Sequence, residues 1–297
     1  TDHDIMISHQ DLADDEFLPL NGYEMEVTES KDVPFDDLKT CHMCLIALEP
    51  DNMKQVCWHR KEYLFANAVS HRDEVQFYEE EPDFGRTYDP ACINEMMKRG
   101  REHGFFVTYN HPAWSTENYE DYIKYENMNA MEICNYGCFT NGFSDYCPGI
   151  YDDMLRAGKR IYCTGTDDNH NAGNREDQSW DSGGAWIVIK ADKLEYRTIT
   201  KALEDGNFYA SQGPEIYDMW IEDNKLYVTT SDADKIFLNT ANRRTQCVWA
   251  KEGETINTAV FDLTNGDILN KGGYVRITVR DLKGCYANSN AYFLDTL

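Results

Sequence analysis

A strand-like run leads directly into potential metal ligands in the stretch Arg160-Ile161-Tyr162-Cys163-Thr164-Gly165-Thr166-Asp167-Asp168-Asn169-His170. A short apolar run of this kind is typical of a buried strand. Asp168 and His170 follow it with one residue between them. A carboxylate and an imidazole at that spacing can both turn toward one ion, and divalent metals accept such mixed ligands. The stretch therefore predicts a metal site at the end of a strand.

Other segments offer the same kinds of ligand. Glu24 comes shortly after the apolar run Phe17 to Leu20, and His111 shortly after Phe105 to Tyr109. His42 stands at the start of the apolar run Met43 to Leu48, with His59 as the alternative ligand. In a barrel, the C-terminal ends of the strands meet on one face. The sequence therefore predicts one cluster of six residues: His3, Glu24, His42, His111, Asp168 and His170.

Strand-like and helix-like segments alternate from residue 1 to residue 215. The predicted strands are mostly apolar on both faces: Phe17 to Leu20, Met43 to Leu48, Phe105 to Tyr109, Ala130 to Cys134, Arg160 to Thr164 and Ala185 to Ile189. Start and stop signals predict four helices between them: Asp89 to His103, Thr116 to Glu126, Ile150 to Ala157 and Lys193 to Glu204. Strands buried on both faces favour a parallel sheet between helices. Residues 1–215 are therefore predicted to be an α/β barrel.

The alternation stops near Gly213-Pro214, and short β-rich runs separated by turns follow to the end of the chain. The run Tyr274 to Arg280 alternates apolar and polar residues with the period of two that half-buried strands require. Regular short strands with turn signals predict a small β-sandwich over residues 216–297. The predicted domains are thus 1–215 and 216–297.

The net charge of −25 argues against a nucleic-acid partner, because binding to a polyphosphate depends on clustered lysine and arginine. No apolar run approaches the ~20 residues of a membrane helix, so no membrane partner is expected. The 10 cysteines in 297 residues are too sparse for a disulfide scaffold. Reduced, mostly buried thiols are favoured, and with them a cytoplasmic location.

Several of these motifs together resemble the PHP (polymerase and histidinol phosphatase) superfamily of metal-dependent hydrolases. The resemblance is carried by Thr1-Asp2-His3-Asp4, Gly22-Tyr23-Glu24, His42 before its apolar run, His111-Pro112, Asp168-Asn169-His170, the stretch from Ala202 to Pro214, and the run from Tyr274 to Asp281. It implies a distorted (β/α)₇ barrel that holds two or three divalent ions, either zinc, manganese or iron. The family's first strand carries a His-x-His pair, and this chain is expected to lack that strand and its ligands.

The resemblance also implies roles for single residues. Glu24 would bridge two ions, and His42 and His111 would complete one of them. Asp168 would bind the neighbouring ion, with Asp167 in support. The two remaining histidines, His3 and His170, would serve a third position.

The expected function is therefore a metal-dependent phosphoesterase, with Glu24 and Asp168 as its catalytic carboxylates. Trp114 is expected to wall the pocket of a small anionic substrate, and Arg175 to pair with the substrate's anionic group. Hydrolysis of another ester or of an amide by the same metal-activated hydroxide stays open. A rival from another class is a non-catalytic binding module, in which the barrel is a scaffold and the β-domain binds a ligand or partner.

Overall fold

A computed structural model describes residues 1–30, 32–144, 146–171 and 173–296. Leu297, the last residue of the predicted second domain, lies outside the described residues. The chain divides into two compact units. Unit 1 comprises Thr1–Glu132 and Ile189–Asn207, and unit 2 comprises Ile133–Val188 and Phe208–Leu297. The predicted boundary between residues 215 and 216 lies inside unit 2.

The predicted (β/α)₇ barrel is wrong. Strands account for 32% of the structure and helices for only 21%, whereas such a barrel needs a helix after each strand. The strands form mixed sheets instead. The connection over residues 29–39 shows why, because the described residues in it form a single short 3-10 helix. It is too short for the crossover that a parallel pair requires, so the strands on either side are antiparallel.

The strands that begin in unit 1 are β1 (Asp2–His3), β2 (Gly22–Thr28), β3 (Thr40–Ala47), β4 (Lys54–Gln55), β5 (Gln76–Phe77), β6 (Phe105–Tyr109) and β7 (Ala130–Asn135). Its α-helices are α1 (Pro90–Glu102), α2 (Tyr119–Tyr122) and, after the α3 and α4 of unit 2, α5 (Tyr196–Glu204). The main sheet of unit 1 has the order β1-β2-β3-β6-β7. Pairing is parallel for β1 with β2 and for β6 with β7, and antiparallel for β2 with β3 and for β3 with β6.

Helix α1 covers one face of this sheet. Its buried residues, Ile93, Met96, Met97 and Gly100, recur at helical spacing and form one apolar stripe. Gly100 permits a close approach, since a Cβ atom there would lie only 2.8 Å from a side-chain carbon of Val107 in β6. The Asp89 side chain accepts hydrogen bonds from the first turn of the helix, and Pro90 follows it. These signals confirm the helix that the sequence predicted over residues 89–103.

The predicted strand over Phe17 to Leu20 is wrong, since these residues belong to no strand and the next strand is β2. Pro19 cannot donate to a sheet ladder. By contrast, Phe105 to Tyr109 has the bounds that the sequence predicted. The other predicted strands of residues 1–215 differ from β3, β7, β8 and β9 by one to three residues at an end.

Unit 2 contains α3 (Tyr136–Thr140), α4 (Pro148–Arg156), α6 (Ile268–Lys271) and the strands β8 (Tyr162–Thr166), β9 (Trp186–Ile189), β10 (Phe208–Ser211), β11 (Ile216–Glu222), β12 (Lys225–Ala233), β13 (Lys235–Thr240), β14 (Gln246–Trp249), β15 (Ile256–Asp262), β16 (Tyr274–Arg280), β17 (Tyr286–Ser289) and β18 (Tyr292–Phe293). Only the last residue of β9 lies outside the unit. The C-terminal half of β7 also belongs here, with β8 as its neighbour in the sheet.

Two further sheets of unit 2 share one apolar core. One has the order β11-β12-β15, and the other has the order β14-β13-β16-β17-β10-β9, with β18 paired to β16. Val228 and Phe261 of the first sheet and Ile236 and Ile277 of the second belong to the same buried cluster. The larger sheet takes β9 and β10 from before residue 216, so the β-rich part is not confined to the predicted range.

Within the described part of the chain, no helix is long and apolar enough to cross a bilayer. The 10 cysteines all lie among the described residues; none forms a disulfide bond there, and half of them are buried.

Candidate functional site

The polar face of the unit 1 sheet is set by strand alternation. In β2, Tyr23 and Met25 point to the side of α1, so Glu24 and Glu26 point to the other side. His42 of β3 lies directly opposite Glu26 in the antiparallel pair. His3 of β1 lies beside Glu24 in the parallel pair. Three neighbouring strands therefore bring two imidazoles and two carboxylates to one face.

The centre of this face is a buried triad of Glu24, His42 and His111. Nδ1 of His42 lies 3.1 Å from Oε1 of Glu24, and Nε2 of His111 lies 3.3 Å from the same oxygen. Asn110 Nδ2 donates to that oxygen as well, over 3.1 Å. The three members of the triad are each at most 5% exposed. This set unites three of the six predicted ligands.

The charge of Glu24 follows from its neighbours. Burial by itself raises the pKa of the carboxyl, but hydrogen bonds from His111 and His42 outweigh it and hold the pKa well below its usual range. Glu24 therefore stays ionised at neutral pH although it is surrounded by protein. A buried carboxylate needs a compensating positive charge or several donors.

His111 is held in place by its own loop. Its φ of 24° lies in the left-handed region, which non-glycine residues rarely occupy and which is often found at functional sites. The backbone N–H of His111 donates to Glu132 Oε2 over 2.8 Å, and its Nδ1 lies 3.2 Å from Ser115 Oγ. These partners fix the ring so that Nε2 points to Glu24.

The geometry of the triad fits a divalent ion. Ligand atoms at ~2.0–2.1 Å from a tetrahedral ion are about 3.3 Å apart, and the separations from Glu24 to the two imidazoles have this size. A second observation concerns Nε2 of His42, which faces Glu26 Oε2 at 3.4 Å rather than Glu24, is buried and has no hydrogen-bond partner among the described residues. A buried polar atom without a partner is costly, and a cation would remove that cost.

A second triad shares His42 with the first. The ligand atoms of His3, Glu26 and His42 lie within 4.8 Å of one another. Glu26 Oε2 is 3.7 Å from Nδ1 of His3 and 3.4 Å from Nε2 of His42. Glu26 was not among the sequence-predicted ligands, because no strand was predicted over residues 22–28. The alternation of acids with apolar residues from Gly22 to Thr28 was the signal that could have identified it.

Trp114 packs against the triad, and its predicted role as a wall of the substrate pocket stays a prediction. Its ring centroid lies 5.3 Å from that of His42 and 5.1 Å from that of His111, both at steep interplanar angles. His59, the alternative to His42, has another role, since its Nδ1 accepts backbone hydrogen bonds from Lys61 and Glu62. His42 is therefore the histidine of this site.

The remaining predicted ligands belong to unit 2. Asp168 has a φ of 49° and accepts a hydrogen bond from Asn135 Nδ2 over 3.2 Å. The side chain of His170 is 61% exposed, and its backbone N–H donates to Asp181 Oδ2 over 2.9 Å. Their convergence with His3, Glu24, His42 and His111 stays a prediction.

Asp167 stabilises a loop of unit 2. Its carboxylate accepts hydrogen bonds from the backbone N–H groups of Gly183, Gly184 and Ala185 over 2.6, 2.8 and 2.9 Å. It therefore connects the end of β8 to the residues before β9. Arg175, the predicted substrate-binding cation, is exposed and lines a cavity of about 460 Å³ within unit 2, together with Tyr136, Phe139 and Trp180.

Another buried glutamate of unit 1 was not singled out by the sequence. Glu117 accepts hydrogen bonds from the phenol groups of Tyr88, Tyr109 and Tyr125 over 2.8, 2.6 and 2.5 Å. Burial raises the pKa of Glu117 to about 7, although the three phenols partly oppose the rise and Asp121 adds to it. Tyr109 pairs with Met43, so this cluster begins on the face of the sheet opposite to Glu24.

Comparisons with protein-family models, with curated proteins and with solved structures give no match to this chain. The resemblance to the PHP superfamily therefore rests on the sequence motifs alone and stays a prediction.

Proposed function

We propose that the chain is a metal-dependent hydrolase and that its substrate is a phosphate ester. The observation that carries the proposal is the buried triad of Glu24, His42 and His111. An ionised carboxylate and two imidazoles, buried at these separations and fixed by their neighbours, are a suitable ligand set for zinc, manganese or iron. A purely structural core gains little from such a group, because apolar residues of the same volume avoid the desolvation cost.

A divalent ion held by Glu24, His42 and His111 would lower the pKa of a bound water molecule to about 7 and would offset charge on the phosphoryl oxygens. The protein residues hold the ligands in position and balance the charge of the ion. Glu24 offsets the positive charge, Ser115 and Glu132 hold His111 in its strained conformation, and Trp114 excludes solvent from one side of the two imidazoles. The preference for a phosphate ester comes from the motifs that resemble the PHP superfamily. Other esters and amides are the second substrate class.

The proposal is tested by metal analysis and by hydrolysis of p-nitrophenyl phosphate. We expect the purified protein to contain at least one equivalent of a transition metal. Chelation should abolish hydrolysis, and added Zn²⁺ or Mn²⁺ should restore it. His111→Ala should lose the metal, since it removes a ligand. His103→Ala is the matched control, because His103 lies at the end of α1 and its Nδ1 lies 2.8 Å from the backbone oxygen of Arg99.

Two results would contradict the proposal. One is a folded protein that neither contains nor takes up a divalent metal, and this result would favour the rival binding module. The other is metal loss of equal size in His111→Ala and His103→Ala, which would place the metal elsewhere.

A further inference from the structure

We propose that His3, Glu26 and His42 form a second cation position, beside the one centred on Glu24 and His111. This proposal rests on the proposed function, and it adds Glu26 as a ligand. Its three ligand atoms are Nδ1 of His3, Oε2 of Glu26 and Nε2 of His42, all within 4.8 Å of one another.

The orientation of the His42 ring favours this position. Nδ1 of His42 lies 3.1 Å from Oε1 of Glu24, and Nε2 lies 3.4 Å from Oε2 of Glu26. The two ring nitrogens therefore face different carboxylates. Nε2 of His42 is thus directed to Glu26 and away from Glu24.

The strand register supports the same assignment. Glu26 and His42 are direct cross-strand partners, so the sheet backbone holds their side chains next to each other, with 3.4 Å between Glu26 Oε2 and His42 Nε2. The backbone N–H of Asp4 donates to the carbonyl of Glu24 over 2.7 Å, and this bond keeps His3 beside β2. Three ligands on three paired strands form a rigid site, which metal binding favours because little order must be created on binding.

The position is accessible as well as rigid. The side chain of Glu26 is 27% exposed, whereas Glu24 is buried. Glu26 lines a cavity of about 660 Å³ in unit 1, together with Tyr63, Phe65 and Tyr88. The ring of Phe65 lies 5.5 Å from that of His3. Three protein ligands leave a coordination position for water or substrate, and this cavity gives the second position its access to solvent.

The test is a Zn²⁺ titration of the metal-free protein against a chromophoric chelator. Glu26→Gln keeps the size of the side chain and removes the charge. We expect it to weaken the binding of one zinc equivalent at least about 10-fold. Glu29→Gln is the matched control, since Glu29 lines the same cavity and carries the same charge but has no imidazole partner among the described residues. Its zinc affinity should equal that of the wild type.

Two further measurements separate ligation from misfolding. Glu26→Asp keeps the carboxylate on a shorter side chain, so its affinity should lie between those of the wild type and Glu26→Gln. All variants should have the same melting temperature without metal. In the wild type, the ¹⁵N resonance of His42 Nε2 should shift when zinc is added.

The possible failures are distinguishable. A wild-type protein that takes up no zinc would contradict both the proposed function and this proposal. A wild-type protein that binds zinc and hydrolyses the ester, with equal zinc affinity in Glu26→Gln and Glu29→Gln, would contradict this proposal alone.

Discussion

Glu24 and Glu117 are both buried in unit 1, near opposite faces of the same sheet, yet they have opposite electrostatic properties. The partners of Glu24 include two imidazoles, which can become cationic, and its pKa is held well below its usual range. The partners of Glu117 are three phenols, which stay neutral, and its pKa is raised to about 7. Burial raises the pKa of both carboxyl groups. The chemistry of the partners therefore decides which of the two is ionised.

The comparison separates two uses of a buried acid. The triad of Glu24 keeps a full negative charge inside the protein, and Nε2 of its His42 has no hydrogen-bond partner among the described residues. Glu117, by contrast, has three hydroxyl donors around its two oxygens. The first arrangement is suited to a cation and the second to packing. The two glutamates therefore serve as controls for each other.

The largest expected effect is on metal binding. Glu24→Gln removes the charge that balances the cation, and it should reduce metal content to background and lower hydrolysis by at least about 10²-fold. Glu117→Gln should leave the metal content at the level of the wild type. Metal analysis and initial rates of the two variants measure this difference. Equal metal loss in both variants would mean that the comparison is wrong.

The next effect is a pH dependence of stability that originates at Glu117. Its folded pKa of about 7 exceeds the ordinary value of 4.5, so the folded state binds this proton more tightly than the unfolded state does. The contribution to stability is complete below pH 4.5 and is lost as the pH rises through 7. The shift corresponds to about 3 kcal/mol.

Denaturant unfolding at pH 5 and at pH 8 measures this contribution. The free energy of unfolding of the wild type should fall more steeply between these pH values than that of Glu117→Gln, in which the titrating group is absent. Parallel pH profiles for the two proteins would show that Glu117 is ionised throughout the range.

The smallest effect concerns a single hydroxyl group. Tyr125→Phe removes a donor that lies 2.5 Å from Glu117 Oε1, and it should lower the free energy of unfolding by about 1 kcal/mol. Because the phenol stabilises the ionised carboxylate, its loss should raise the pKa of Glu117 further. The pH at which stability falls should then move upward. A downward movement would contradict the assignment of the phenol as donor.

The parts of the fold that could be predicted from the sequence are those with local signals. Helix α1 has a capping aspartate, a proline in its first turn and an apolar stripe, and β6 is a continuous apolar run. The direction of the strands was not accessible in this way, because apolar runs in a mixed sheet look the same as those in a parallel one. The antiparallel pairing of β2 with β3 follows from the short connection over residues 29–39, and it was missed because no strand was predicted over residues 22–28.

The residues of the candidate site could likewise be predicted only where the sequence carries a local signal. Glu24, His42 and His111 could be found from residue type and spacing. Glu26 could be found only once β2 was placed correctly, since its role depends on sharing a strand face with Glu24 and lying opposite His42. The cluster around Glu117 had no local signal, because its three tyrosines come from separate segments and two of them look like ordinary core residues.

The three amide hydrogen bonds of Asp167 have a consequence for how unit 2 can change during evolution. They bring residue 167 next to residues 183–185, so the intervening loop begins and ends at nearly one point in space. The entropy cost of closing a loop grows only slowly with its length. Residues between Asn171 and Trp180 can therefore be inserted, deleted or replaced with little effect on β8 and β9. New binding specificities could arise in this loop without loss of the fold.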